Sequence, residues 1–176
     1  EIPLRLVGSE MCIRDRAVAS KGLSVALPLS VAGLISTTLI DELLAQLEQS
    51  TLPGRLLHLI VPAEALLLNP QESTKAIQTL RQAGCHIIVS QIGRDLQIFN
   101  LMTKSLADYL LLDSELSASI HGNMMDEMLV SIIQGHAQRL GMKTIAGPVQ
   151  TPIVMDTLSG ICLLYTSPSP RDVEES

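Results

Sequence analysis

Short apolar runs alternate along the chain with stretches in which apolar residues return every three or four positions. LSVAL, Leu23 to Leu27, is the first run; it is uncharged, stops at Pro28, and reads as a strand buried on both faces. Leu39, Ile40, Leu43, Leu44 and Leu47 then recur at helical spacing while Asp41, Glu42, Glu48 and Gln49 face away, so a helix follows and ends at Pro53-Gly54. LLHLIV, Leu56 to Val61, is the next strand. Asn69-Pro70 offers a capping side chain with proline at the first helical position, opening a helix whose stripe is Ala76, Ile77, Leu80 and Ala83 and whose stop is Gly84. HIIVS (His86 to Ser90) is a strand, Ile98 to Lys104 a helical turn, and DYLLLD (Asp108 to Asp113) another strand. The clearest helix runs from Met124 to Leu140; Met125, Met128, Leu129, Ile132, Ile133, His136 and Leu140 keep the spacing and are assigned to the core, with Gly141 at the end. KTIAG (Lys143 to Gly147) is a further strand, and Ile153 to Leu158 starts one more helix.

Strand and helix in alternation mean right-handed βαβ units and a parallel sheet, an α/β fold. No glycine-rich phosphate loop follows any strand, which favours a barrel over a nucleotide-binding open sheet. The uncharged run from Gly22 to Ile40 is long enough to raise a membrane span, but Pro28, Gly33 and its serines and threonines divide it into a strand and a helix start.

The two ends do not share this pattern. Back-translating Glu10 to Asp15 and reading the reverse complement one base out of frame gives Cys-Leu-Leu-Tyr-Thr-Ser, which is Cys162 to Ser167; extending outward through Val7, Gly8 and Ser9 gives Pro168, Ser169 and Pro170. One inverted DNA element accounts for both ends, which resemble a translated sequencing-library adapter. Residues 1–16 and 162–176 are therefore set aside as not native, leaving 17–161 as the protein, a domain incomplete at both ends. Of the three cysteines only Cys85 remains, which removes any disulfide or cysteine-metal reading and suits a cytoplasmic setting. With 12 basic against 18 acidic residues in the whole chain and no basic run, nucleic acid is not an expected partner.

In α/β barrels chemistry sits at the carboxyl ends of the strands: here Pro28, Val61 to Glu64, Ser90-Gln91, Asp113 and Gly147 to Gln150. LRQAGCHIIVSQIGRDLQIFNLMTKSLADYLLLDSEL, Leu80 to Leu116, aligns without a gap to the pattern Leu-Arg-x-x-Gly-x-x-Ile-Ala-x-Asp-Asp-Phe-Gly, then Leu-x-x-Leu, then Asp-Tyr-Leu-Lys-Ile-Asp of EAL domains, the bacterial cyclic-di-GMP phosphodiesterases. HAQRLGMKTIAGPVQT and VALPLS resemble the family's Ala-x-x-Leu-Gly-x-x-x-Ile-Ala-Glu-Gly-Val-Glu-Thr and Val-Ala-Val-Asn-Leu-Ser. The resemblance implies a partial TIM-type (β/α) barrel and a cleft that, in active members, holds two Mg or Mn ions on carboxylates and one amide.

This chain departs from the family at those positions. The Asn is Pro28; the first Glu falls on Ile60, or on Val61 if the register slips by one; the Asp-Asp pair is Ser90-Gln91; the Lys is Leu111; and Glu-Gly-Val-Glu is Gly147-Pro148-Val149-Gln150. The resemblance therefore implies no metal cofactor, no catalytic residue and no hydrolysis. It leaves Ser90, Gln91, Gln150, Glu64 and Asp113 as the residues for a ligand, with Asp108 and Asp113 also expected to cap the ends of their strand. His136 reads as a packed core histidine, His58 and His86 as strand residues without metal partners, and Cys85 as a small buried hydrophobe. Three functions stay open: a receptor that binds cyclic-di-GMP without cutting it, a module that contacts other signalling domains or proteins after losing the nucleotide, and an unorthodox hydrolase.

Overall fold

The computed structural model describes residues 24–50, 52–104 and 106–146, and the backbone of Leu164 and Tyr165. Five strands, β1 (Val25–Pro28), β2 (Leu57–Pro62), β3 (His86–Ile92), β4 (Tyr109–Leu112) and β5 (Lys143–Ala146), form one all-parallel sheet in chain order. Between them run α1 (Val31–Ile35), α2 (Thr37–Gln49), α3 (Ala63–Leu68), α4 (Pro70–Gln82), α5 (Ser114–Ser119) and α6 (Met124–Leu140), with 3-10 turns at Gly54–Leu56 and Leu96–Asn100. A doubly wound sheet reverses its strand order at a switch point, whereas here every strand lies beside its predecessor. That is the order of a TIM-type barrel, of which the chain forms a part. A short β6 (Leu164–Tyr165) pairs with Ile145 and Ala146, inside the stretch read from its DNA as adapter. The free edge of β5 takes up a β-prone Leu-Tyr pair whatever its origin.

The period-two alternation of the strands divides the sheet into two faces. Leu57, Leu59, Val61, Ile87, Val89, Leu110, Leu112 and Ala146 point to the helices and join the main core with Leu34, Leu66, Ile77, Leu80, Ile133 and Ala137. Burying each large aliphatic side chain there contributes roughly 1.5–3 kcal/mol, so this face holds the fold together. The opposite face carries Ala26, Pro28, His58, Ile60, Pro62, Ser90 and Leu111, partly or fully exposed, with Ile88 buried among them. In a TIM-type barrel this is the side that faces the interior.

Local chemistry sets the boundaries. Ser36 caps α2 by accepting from the Leu39 N–H at 3.3 Å, and Gly84 (φ 88°) and Gly141 (φ 75°) provide the left-handed residues that follow α4 and α6. At Gly54 a Cβ would strike the Ala83 carbonyl, so only glycine lets the turn pass beneath the end of α4.

Several sequence expectations are corrected. The strand β1 alternates between half-buried and exposed and is not buried on both faces, because among the described strands only β2 flanks it. Asn69 does not cap α4 with its side chain; its backbone splices α3 to α4, donating to the Ala65 carbonyl and accepting from the Ser73 N–H, both at 3.0 Å. The turn expected over Ile98 to Lys104 lies at Leu96–Asn100, started early by Asp95, whose carboxylate accepts from the Gln97 N–H at 2.9 Å. The largest correction is the roll of α6. Its buried residues are Asp126, Val130, Ile133, Gln134 and Ala137, while Met124, Met125, Met128 and Ile132 are 82%, 73%, 60% and 49% exposed. Hydropathy assigns methionine to the core and aspartate to water, but Asp126 is held inside by hydrogen bonds described below. His136 is half-buried on the flank, its ring 4.7 Å from that of Phe99. The helix start at Ile153 to Leu158 lies outside the described residues. Among the described residues no helix is long and apolar enough to cross a membrane; the Gly22 to Ile40 run contains β1, α1 and the start of α2.

Candidate functional site

Strand register fixes what the carboxyl ends of the sheet present. Pro28 pairs with Ile60, Ile60 with Ile88, and Pro62 with Ser90. Val61 is fully buried against the helices, so Ile60, not Val61, shares the inner face with Pro28. The side chains along these ends are a pyrrolidine ring, an aliphatic chain, a hydroxyl and an amide. Hard dications need several oxygen ligands, with carboxylates to offset their charge. Among the described residues no group of three or more His, Cys, Asp or Glu is placed to hold a metal, and Pro28, Ile60, Ser90 and Gln91 contribute no carboxylate to one.

Ser90 is half-buried, its Oγ donating to the Val61 carbonyl across the strand gap at 3.4 Å. Gln91 then breaks the ladder. The register of β3 against β4 shifts between Val89 and Ile92, and Gln91 sits at φ 62°, the one non-glycine residue at positive φ among those described. This bulge turns Gln91 toward a cavity of about 220 Å³ that it lines with Gly93, Arg94, Asp95, Asp113, Glu115 and Leu116. Asp113 closes the far side. Its Oδ1 accepts from the Glu115 N–H at 2.7 Å, capping α5, and its own N–H donates to the Ile92 carbonyl at 2.8 Å. Gln91 and Asp113 are thus brought together. Glu64, exposed in the first turn of α3, lies beyond Pro62 and does not line the cavity, and Ser90 lies behind Gln91 on the inner face. Gln150, with Gly147, Pro148 and Val149, lies outside the described residues.

The cavity wall is braced by residues that spacing alone does not pair. Asp126, 4% exposed in the first turn of α6, receives four hydrogen bonds. One nitrogen of Arg94, Nη2, donates to Oδ1 at 3.1 Å and Oδ2 at 2.9 Å, while the Ser119 hydroxyl and Asn123 Nδ2 donate to Oδ2 at 2.5 and 2.9 Å. The hydrogen bond from Ser119, helped by Arg94, holds the Asp126 carboxyl below the usual carboxylate range against the opposing effect of burial. Asn123 also caps α6, its Oδ1 accepting from the N–H groups of Met125 and Asp126. Asn-x-x-Asp at the helix start resembles a capping box, and that was the available signal in the sequence.

At the other end of the sheet Asp108 ties β4 to its neighbours. Its Oδ2 accepts from Arg81 Nη1 at 2.6 Å and from the Ile87 N–H at 2.8 Å, and His86 Nδ1 lies 3.5 Å away. The His58 ring stacks on His86 with centroids 4.9 Å apart, beside Tyr109 at 5.7 Å. Burial first, and His86 second, push the His58 imidazole below its ordinary value of 6.5, so the folded state favours its neutral form. The unfolded chain then binds more protons between the lowered value and 6.5. The stability due to neutral His58 is complete above pH 6.5 and lost as pH falls through the lowered value. Thermal midpoints of the complete domain measured from pH 7.5 to 5 are expected to fall, and His58→Gln to flatten the fall; equal slopes in both proteins would exclude His58 as its source. Cys85 is free and buried, and burial pushes its thiol up, away from thiolate chemistry.

Comparison with known proteins places this geometry. The family model for the EAL domain matches residues 9–161. The chain is 67% identical over 146 residues to the probable diguanylate cyclase DgcE of Escherichia coli strain K12, and 27% identical over 130 residues to the cyclic di-GMP phosphodiesterase NbdA of Pseudomonas aeruginosa. These matches cover 83% and 74% of the chain but only 13% and 17% of the relatives, so the chain spans a small part of each. In three dimensions it superposes on the Xanthomonas citri FimX EAL domain, solved in complex with c-diGMP, with a TM-score of 0.74 at 18% identity, covering 88% of this chain and 64% of that one. Family match, partial barrel and near relative agree: the chain belongs to the EAL domain family.

Proposed function

We propose that this domain reads cyclic-di-GMP without hydrolysing it. The observation that carries the reading is the pairing of a retained scaffold with a neutral set of side chains, Pro28, Ile60, Ser90 and Gln91, at the strand ends. These four side chains offer hydrogen bonds to phosphate or to a guanine edge and no carboxylate for a metal ion. Although Asp95, Asp113 and Glu115 line the adjoining cavity, no three acidic groups among the described residues are placed to hold one. The family, and the c-diGMP bound to the FimX relative, support the choice of ligand. Ser90, Gln91 and Gln150 supply the polar contacts, with Asp113 at the cavity wall and Glu64 at the rim. Gln150 is the strongest of these, since an amide both donates and accepts where the family's carboxylate only accepts. The setting that suits this role is the cytoplasmic face of a larger signalling protein.

The experiment is a calorimetric titration of cyclic-di-GMP into the full-length protein and its variants. Gln150→Ala and Ser90→Ala are each expected to weaken binding by about 1 kcal/mol, roughly fivefold. Unchanged affinity in both variants would remove these residues from the site, and an affinity abolished by chelator would contradict a metal-free mode. The apolar exposed face of Met124, Met125, Met128 and Ile132 favours a second reading, a protein-interaction module that no longer binds nucleotide. Absence of any binding would leave that reading in place.

A further inference from the structure

Gln91 occupies a backbone conformation that a non-glycine residue holds only when its surroundings enforce it. The source of that constraint can be traced along the chain. On the β4 side, the Asp113 N–H bonded to the Ile92 carbonyl fixes the residue after Gln91. Downstream, Asp95 is committed to starting the 3-10 turn. Between them Arg94 extends from the loop to a carboxylate 32 residues further along the chain, and that carboxylate is immobilised in turn by Ser119 and by the cap residue Asn123. Arg94 and Gln91 line the same cavity.

We propose that Arg94, anchored through Asp126, is a positioning residue: it holds the 91–95 loop in the form that presents the Gln91 amide to the cavity. This inference rests on the proposed binding of cyclic-di-GMP, because Gln91 is one of the contacts assigned to it. The Arg94 side chain is 56% exposed and Asp126 keeps two donors without it, so Arg94→Ala removes the tether and leaves the fold standing. The loop then divides its time between the presenting form and relaxed forms with Gln91 at negative φ. Apparent affinity falls by the fraction that remains competent.

The test uses the full-length protein. Cyclic-di-GMP is titrated calorimetrically into the wild type, Arg94→Ala, Arg94→Lys and, as a control, Arg81→Ala, which breaks the ion pair with Asp108 at the opposite end of the sheet. Hydrogen exchange of the amides of residues 91–95 is followed in the same samples. Arg94→Ala is expected to raise Kd about tenfold, as when the competent fraction falls to about one tenth, and to speed exchange across the loop. Arg94→Lys restores most of both, because a single nitrogen bridges the carboxylate and an ammonium can replace it. Arg81→Ala lowers the melting temperature without changing Kd, which separates positioning from general stability. A wild type that binds, with Arg94→Ala within twofold of it or with unaltered loop exchange, overturns this inference alone. A wild type that does not bind overturns the proposed function and this role with it.

Discussion

Incubated with magnesium or manganese, the complete domain is expected to leave cyclic-di-GMP intact. A two-metal phosphodiesterase draws its rate from dications that activate water and stabilise the leaving oxygen, and the protein must first gather those charges on anionic ligands. Pro28 has no side-chain oxygen to give. Ile60, now assigned to the inner face by its pairing with Pro28, has no polar side-chain atom. Ser90 and Gln91 carry no charge, and Asp113 already has one oxygen committed to the cap of α5. Installing Ser90→Asp and Gln91→Asp together is expected not to rescue turnover, since Pro28, Ile60 and Leu111 still supply no ligand and Asp95 and Asp113 each have an oxygen committed to starting a helical turn. Chromatography of the nucleotide after incubation decides the matter. Linear product above a buffer blank, abolished by chelator, would contradict the expectation.

The polypeptide as written is expected to fail as an isolated soluble monomer. Its helices cover one face of the sheet; the other presents Ala26, Pro28, Ile60, Pro62 and Leu111 in the position where a closed barrel packs side chains from strands all around its axis. An eight-stranded barrel leaves no free edge, whereas among the described residues β1 pairs with β2 alone and β5 meets no more than the two residues of β6 on its other side. Such an edge beside an apolar face recruits other chains. Size-exclusion chromatography of the expressed chain is expected to give aggregate. A monodisperse monomer with a sharp, reversible thermal transition would contradict this.

The strands were legible because their code is local. HIIVS and YLLL are short, apolar and bounded by turn residues, and each lies within two residues of its expected limits. Barrel topology followed from order and from missing phosphate loops, and the sequential sheet bears it out. The helix α3 was not legible, since AEALLL is too short and too uniformly apolar to show a period. The roll of α6 was misread for a different reason: its direction depends on Asp126, which is held inside by Ser119 and Asn123 and by Arg94 reaching it from a distant loop. The positive φ of Gln91 had no sequence signal, for glutamine is not a residue that marks such a turn. Of the expected ligand contacts, the structure joins Gln91 to Asp113 and leaves Glu64 apart, a separation set by the bulge and by the start of α3.

The domain is expected to bind cyclic-di-GMP without metal and to return it unchanged. One titration addresses it most directly: cyclic-di-GMP into the full-length protein in excess EDTA, with the ligand recovered from the calorimeter cell and chromatographed. The expected result is a saturable isotherm, superimposable on that obtained with magnesium, and nucleotide recovered intact. An isotherm that requires magnesium, or no heat of binding under either condition, would contradict it.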